Sequence, residues 1–264
     1  MKKYQDKAGF TSIVKEGEKG LKRACFSLLK LGKDDSYSEN TGGSETAFVI
    51  ISGEFNVKGK NFEFEDIKRT NVFNDRATAV YLPIGVEYEI KSLSDNTEIA
   101  VCSASSELKS EPVLIRPENV KEKDLGVLSW KRKAYFIIDE RIQSENFFIG
   151  ETMLTPGKWA FPPHRHDYDN YPEEVEMDEI YHYRVYPENG FGLQLLYNDD
   201  KTIDEAYTVR NKDTVFFPEG YHPASSSPVD SLYILWFLAG KKRYFISKPD
   251  EYYKWIINCE NLLK

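Results

Sequence analysis

Three of the chain's four histidines, His164, His166 and His182, fall inside "FPPHRHDYDNYPEEVEMDEIYHYRV", residues 161–185, and none occurs in the first 163 residues. On an extended strand, residues i and i+2 share one face about 6.5–7 Å apart. His164 and His166 therefore project together, and Arg165 points the other way. Two imidazoles converging from one strand can chelate a metal ion when a carboxylate and a third imidazole complete the set. The fourth histidine, His222 in "FFPEGYHPA", supplies that imidazole. Zinc, iron, manganese and nickel all accept such mixed nitrogen and oxygen ligation. A lone His-x-His pair is more often surface decoration. Here Gly157 precedes it, an acid-opened strand follows, and Pro218 and Gly220 punctuate the approach to His222. Glu179 opens that strand and is the expected acidic ligand, although Glu173, Glu174 and Glu176 lie close in sequence.

The elements that must position these groups are short strands. "CFSLLKL", "TAFVIISGEFNV", "TAVYLPIG", "KAYFIID", "NFFIGETML", "GFGLQLLY" and "LYILWFLAG" are apolar, β-branched or aromatic runs bounded by Gly, Pro, Asn, Asp and Ser. Helical periodicity is convincing only in "KPDEYYKWIINCENLLK". There Pro249 or Asp250 could start a helix with Tyr253, Ile256, Ile257 and Leu262 as its apolar stripe. Such a pattern reads as sandwiches or barrels.

An internal repeat sharpens this. Glu45 opens "ETAFVIISGEF" and lies 38 residues before Pro83; Glu179 opens "EIYHYRVY" and lies 39 residues before Pro218. Each half carries an acid at a strand start and then a strand ending in P-x-G-x-(H/E). The prediction is an all-β chain of two barrels with a short C-terminal helix. The N-terminal barrel is placed at 1–125 and the C-terminal, metal-binding barrel at 126–264, with "SSELKSEPVLIRPENVKEKDLGVLSW" as the connection. Where the repeat calls for a third histidine the first half has Glu87, so it is read as structural.

Composition excludes some functions. The net charge of −8 provides no basic face for phosphates, which argues against nucleic-acid binding. Cys25, Cys102 and Cys259 form no CxxC, the first residues lack an apolar leader, and no apolar run approaches the ~20 residues needed to span a bilayer. The expectation is a cytoplasmic protein with reduced cysteines and no membrane association; a homo-oligomer is left open.

The motifs resemble those of cupins: a glycine, H-x-H, a glutamate opening a strand, and later P-x-G-x-x-H. In most cupins three or four residues separate the second histidine from the glutamate. Here twelve separate His166 from Glu179, and the third histidine comes one residue early in "PEGYH". "TPGKWAFPPHRHD", "EIYHYRV", "GFGLQLLY", "FFPEGYHPA", "LYILWFLAG" and "KPDEYYKW" are together similar to the 5-deoxy-glucuronate isomerases of bacterial inositol catabolism, and "ETAFVIISG" extends the resemblance into the N-terminal half. That family's usual "YYLNVMAG" reads "LYILWFLAG" here.

The resemblance implies a bicupin related to 4-deoxy-5-ketouronate isomerases. It implies one divalent ion in the second barrel, zinc first, with manganese or iron as alternatives, held by His164, His166, Glu179 and His222. The implied reaction is an aldose-ketose isomerisation of a small anionic sugar acid, 5-deoxy-glucuronate, to 5-dehydro-2-deoxy-gluconate through an enediol. Strand alternation from Glu179 puts Tyr181 and Tyr183 on the metal face as acid/base candidates, with aromatic barrel filling as the alternative. His182 and Arg184 fall on the opposite face, so His182 is read as a non-ligand. Gln194 is a candidate for substrate hydroxyls, with a polar outward position as the alternative, and Lys158 and Arg243 are candidates for the substrate carboxylate, with ordinary solvated charge as the alternative for each. The inserted 167–178 segment is either a lid or a solvated turn. A related deoxy-ketouronate isomerase, a metal-dependent cupin oxygenase and a non-catalytic sugar-binding bicupin are the other readings.

Overall fold

Runs such as "TAFVIISGEF" and "LYILWFLA" carry the β-branched and aromatic residues that fit a pleated, half-buried surface, and both are strands. The computed structural model describes residues 1–3 and 7–263, arranged as two antiparallel units on one plan. In the first, a sheet runs Gly9–Val14, Cys25–Leu31, Thr97–Ser105, Ser44–Gly59, Ala79–Leu82 and Val113–Ile115. The far end of Ser44–Gly59 also pairs with Phe62–Arg69 and with Glu87–Ser92, which pairs in turn with Ser36–Asn40.

In the second unit the corresponding sheet runs Lys121–Leu125, Arg132–Ile138, Phe147–Leu154, Ser231–Ala239, Asp178–Tyr186 and Thr214–Phe217. Its other wall is Trp159–Ala160, Ala224–Ser226, Gly192–Tyr197 and Asp204–Val209. The architecture is all-β, two cupin barrels and a short C-terminal helix. Separate apolar clusters fill the barrels: Phe48, Phe55 and Ile90 in the first, Tyr183, Phe217 and Trp236 in the second.

A third cluster lies between the barrels and draws on both, with Phe26, Ala47, Val49 and Tyr81 meeting Phe147, Ile149, Ile180 and Phe237. Its polar crossings are buried and paired. Arg69 donates to both oxygens of Glu151 at 2.6 and 3.1 Å, and the Tyr233 hydroxyl donates to the same carboxylate at 2.6 Å. Asp178 accepts the backbone N–H groups of Lys22, Arg23 and Ala24 at 2.6–3.0 Å. In the mirror arrangement, Glu45 accepts those of Glu145 and Asn146 at 2.9 and 2.7 Å, and the Tyr81 hydroxyl at 2.8 Å.

These clasps define how the repeat aligns. Leu82, just before Pro83, stands opposite Thr46, whereas Phe217, just before Pro218, stands opposite Glu179. Glu45 therefore corresponds to Asp178, and Glu179 to Thr46. The two glutamates open equivalent strands but sit one residue out of register, and a one-residue shift turns a side chain to the other face. Glu45 looks into the seam; Glu179 looks into its own barrel. The first barrel also lacks the histidine-bearing segment. It passes from Asn40 to Ser44 through Thr41, Gly42 and Gly43, where the second uses residues 161–177.

Two details differ from the sequence-based expectation. Lys121–Leu125 pairs with Arg132–Ile138, in the second sheet. We therefore propose dividing the barrels at the 3-10 turn Pro117–Asn119 rather than after residue 125. At the C-terminus, Asp250 caps a 3-10 turn by accepting the Tyr252 N–H at 2.9 Å, and the α-helix begins only at Trp255. Ile256 is its buried residue, while Leu262, expected on the apolar stripe, is 86% exposed. Leu262 comes five residues after Ile257, roughly 140° further round a helix of 3.6 residues per turn, so it faces away from Ile256 and Ile257.

Removing one partner of a buried ion pair leaves the other charged and unpaired, at a cost of about 3–5 kcal/mol. Glu151→Ala should thus lower the unfolding free energy by about that much, read from urea denaturation, because Arg69 and the Tyr233 hydroxyl would both be stranded.

Candidate metal centre

The four candidate ligands come from three separate pieces of chain. His164 begins the two-residue strand His164–Arg165, which pairs with Lys248–Pro249. His166 follows, and its carbonyl accepts the Met177 N–H at 2.9 Å, closing the base of the inserted segment. Glu179 is the second residue of Asp178–Tyr186. His222 leaves the "PEG" turn, where Gly220 has φ +94° and a Cβ would sit 2.9 Å from the Tyr197 carbonyl, so only glycine fits. The Asp167 carboxylate accepts the Gly220 N–H at 2.9 and 3.0 Å and ties that turn to the His164–His166 segment.

Ligand atoms of His164, His166, Glu179 and His222 all lie within 4.8 Å of one another. The imidazole centroids are 4.8, 5.1 and 5.6 Å apart. Glu179 Oε2 is 2.7 Å from His222 Nε2 and 3.3 Å from His166 Nε2. Yet Glu179 Oε2, His222 Nε2 and both ring nitrogens of His166 are buried without a hydrogen-bond partner. Buried polar atoms are normally satisfied, so a converging set of unsatisfied ones is itself a sign of a ligand site. An ion about 2.0–2.2 Å from each donor holds ligand atoms up to about 4 Å apart, which a small contraction of this cluster reaches. The residues fit a divalent metal.

The electrostatics agree. Burial and the adjacent imidazoles push His164 down to about 3, so it is neutral with a free lone pair. Burial works against the charge on Glu179, but His222 and His166 outweigh it and hold the carboxyl well below the usual range. Burial likewise opposes a charge on His222, and Glu179 reverses it, raising that imidazole. A metal ion takes the place of such a shared proton. His222 Nδ1 lies 2.8 Å from the Gly220 carbonyl; donation there leaves Nε2 to face the cluster.

Beside the cluster lies a cavity of about 420 Å³. Apolar Phe136, Trp236, Leu238 and Phe245 line it, together with Tyr181, Arg132 and, from the C-terminal helix, Ile257 and Glu260. Gly150 lets Trp236 lie against the neighbouring strand, since a Cβ there would be 2.1 Å from the indole.

The remaining sequence candidates separate. Tyr181 lines the cavity. Tyr183 does not; its hydroxyl donates to Gln194 Oε1 at 2.6 Å. Gln194 in turn donates to the His222 and Pro223 carbonyls at 2.9 and 3.1 Å, so this pair backs the His222 turn from behind. Lys158 donates to the Leu128 carbonyl at 2.8 Å, and Arg243 is held by the Phe147 and Asp139 carbonyls; neither lines the cavity. His182 is fully buried at the seam, its Nδ1 2.9 Å from Thr214 Oγ1 and its ring 5.3 Å from that of Phe26.

The 167–178 segment contributes no residue to the cavity wall. Glu174 is buried, accepts the Asp167 and Tyr168 N–H groups at 2.7 and 3.2 Å, and lies 3.3 Å from Arg165 Nε. It is a structural carboxylate and stands apart from the cluster of ligands. Sequence reasoning missed Arg132 altogether. The signal for it was weak, the middle one of three consecutive basic residues in "WKRKAYF".

A double cupin whose second barrel alone holds three histidines and a glutamate defines the class. The chain belongs to the KduI/IolB family, whose model matches residues 1–256. It is 34% identical to the 5-deoxy-glucuronate isomerase of Bacillus subtilis over 236 residues, 88% of this chain and 87% of that one. Against the enzyme of the same name from Geobacillus kaustophilus it is 32% identical over 238 residues, 89% and 86% of the two chains. The crystal structure of an IolB-like protein from Salmonella typhimurium superposes with a TM-score of 0.92 at 27% identity, covering 97% of this chain and 98% of that one. An oxalate decarboxylase from Lactobacillus farciminis, at 9% identity and a TM-score of 0.67, covers 93% and 85% and shares the fold.

If the cluster is a metal site, elemental analysis of purified protein should find one divalent ion per chain. His222→Ala should abolish stoichiometric binding, since it removes the imidazole whose lone pair the Gly220 contact directs inward.

Proposed function

We propose that the protein is a metal-dependent aldose-ketose isomerase of a deoxy sugar acid, acting on 5-deoxy-glucuronate to give 5-dehydro-2-deoxy-gluconate in inositol catabolism. The observation that carries this reading is a cluster of four converging ligand groups, three of which, His164, His166 and Glu179, form part of the wall of a largely apolar cavity, in a chain whose curated relatives bear that isomerase name. The mixed imidazole and carboxylate set suits zinc, and manganese or iron as well.

The chemical difficulty is the weak acidity of the C–H beside an aldehyde and the negative charge that grows on its oxygen. A divalent ion held by His164, His166, Glu179 and His222 would supply Lewis-acid stabilisation of that charge. Tyr181 lies two residues from Glu179 on the same face of the strand. Burial, and then the charge on Glu179, push its phenol well above the ordinary value, so it keeps its proton and serves as a hydrogen-bond donor. Buried Phe136, Trp236 and Leu238 give the cavity an apolar wall, and electrostatic interactions beside such a low-dielectric wall are stronger than in water. At the rim, Glu260 accepts the Trp130 indole N–H at 2.8 Å and fastens the helix over the cavity.

Three measurements bear on this reading. Purified protein should isomerise 5-deoxy-glucuronate in preference to 4-deoxy-5-ketouronate, and a chelator should stop it. His166→Ala should lose at least about 10²-fold in turnover while melting close to the parent. His182→Ala should do the reverse, losing about 2–3 kcal/mol of stability from a cavity in the seam but keeping turnover per folded molecule. Equal harmlessness of both substitutions would sink the assignment.

A further inference from the structure

Resting on the isomerase reading, we infer that Arg132 is the specificity-determining residue that holds the substrate carboxylate, and that the cavity selects a sugar acid with a single carboxylate distal to the reacting carbon. A six-carbon uronate brings a permanent negative charge into a wall that is mostly apolar. A buried carboxylate must be paired and hydrogen-bonded, or its desolvation opposes binding. Among the described residues lining the cavity, Arg132 is the one lysine or arginine.

Its geometry is prearranged. One terminal nitrogen of Arg132 donates to the Phe161 carbonyl at 2.9 Å and to the Trp130 carbonyl at 3.2 Å. Phe161 stands three residues before His164, so the same bond that fixes the guanidinium anchors it to the ligand-bearing segment. The distance between the anion-binding end and the metal-binding end is thereby set by one short piece of backbone. The planar fork of an arginine matches a carboxylate, which a lysine does only as a point charge. Glu260 shares this wall. Once Arg132 is paired with one substrate carboxylate, the negative charge of Glu260 opposes a second.

The test compares wild-type holoenzyme with Arg132→Gln and Arg132→Lys on 5-deoxy-glucuronate and on its neutral amide. Arg132→Gln should raise KM for the acid on the order of 100-fold with a much smaller change in kcat, and should erase the preference for acid over amide. Arg132→Lys, which keeps the charge, should recover part of both and serves if the glutamine variant fails to fold. Calorimetry with gluconate against uncharged glucitol gives a readout without turnover: wild type should prefer gluconate and Arg132→Gln should not. An unchanged KM and unchanged gluconate preference in a folded Arg132→Gln overturns the inference, as does a fall in kcat alone. A wild type that ignores 5-deoxy-glucuronate yet binds gluconate through Arg132 overturns the isomerase reading and leaves the anchor standing. A wild type that binds gluconate no better than glucitol removes the anchor.

Discussion

Two buried carboxylates govern this molecule. Asp178, the first residue of Asp178–Tyr186, and Glu45, the second of Ser44–Gly59, each receive backbone N–H groups from the other barrel. The loops they grip, residues 22–24 and 145–146, immediately precede the strands Cys25–Leu31 and Phe147–Leu154, which flank the seam. A buried carboxylate that accepts several N–H groups is satisfied only in one register. Once Asp178 faces the seam, the period of two sends Glu179 and Tyr181 into the barrel and Ile180 and His182 back to the seam. The inward aim of the acidic ligand is thus a consequence of how the two halves hold each other.

Around the cluster, the polar contacts serve orientation. Asp167 on the Gly220 N–H, the Gly220 carbonyl against His222 Nδ1, and Gln194 on the carbonyls of His222 and Pro223 together fix the ring that comes from the most distant loop. Outer partners of this kind set ligand tautomer and direction. They also explain why so many polar groups are tolerated in this interior: each is paired apart from the atoms that converge on the cluster and a few at Arg165, His182 and Arg184.

Much of this was legible in the sequence. The strand runs, the duplication, the three histidines and Glu179 each carry a local periodicity or spacing that survives into three dimensions. What failed did so for identifiable reasons. Matching Glu45 to Glu179 by spacing was off by one position, a difference that turn lengths absorb but a strand face does not. Lys158 and Arg243 were plausible because a single cation leaves no pattern; Arg132 was overlooked for the same reason. Gln194 lies on a strand near the cluster, but its amide is consumed by carbonyls that only the folded turn brings near. The inserted segment read as a lid or a solvated turn, yet Glu174 is committed to Asp167, Tyr168 and Arg165, a contact pattern invisible in a string of acids.

The seam has a further consequence, for synthesis on the ribosome. The chain leading into each half adds to the sheet of the opposite kind: Lys2 bridges to Thr214, and Val113–Ile115 pairs with Ala79–Leu82 before the chain enters the second barrel. Translation proceeds from the N-terminus at about 5–20 residues per second. The first barrel therefore emerges with Ala47, Val49 and Phe26 uncovered and with Glu45 holding the Tyr81 hydroxyl but none of its partners from the other barrel, and it must wait until Asn146 and Phe237 have been made. For that interval the nascent protein presents an apolar face to the cell, the kind of surface that makes a partly made chain prone to associate with others.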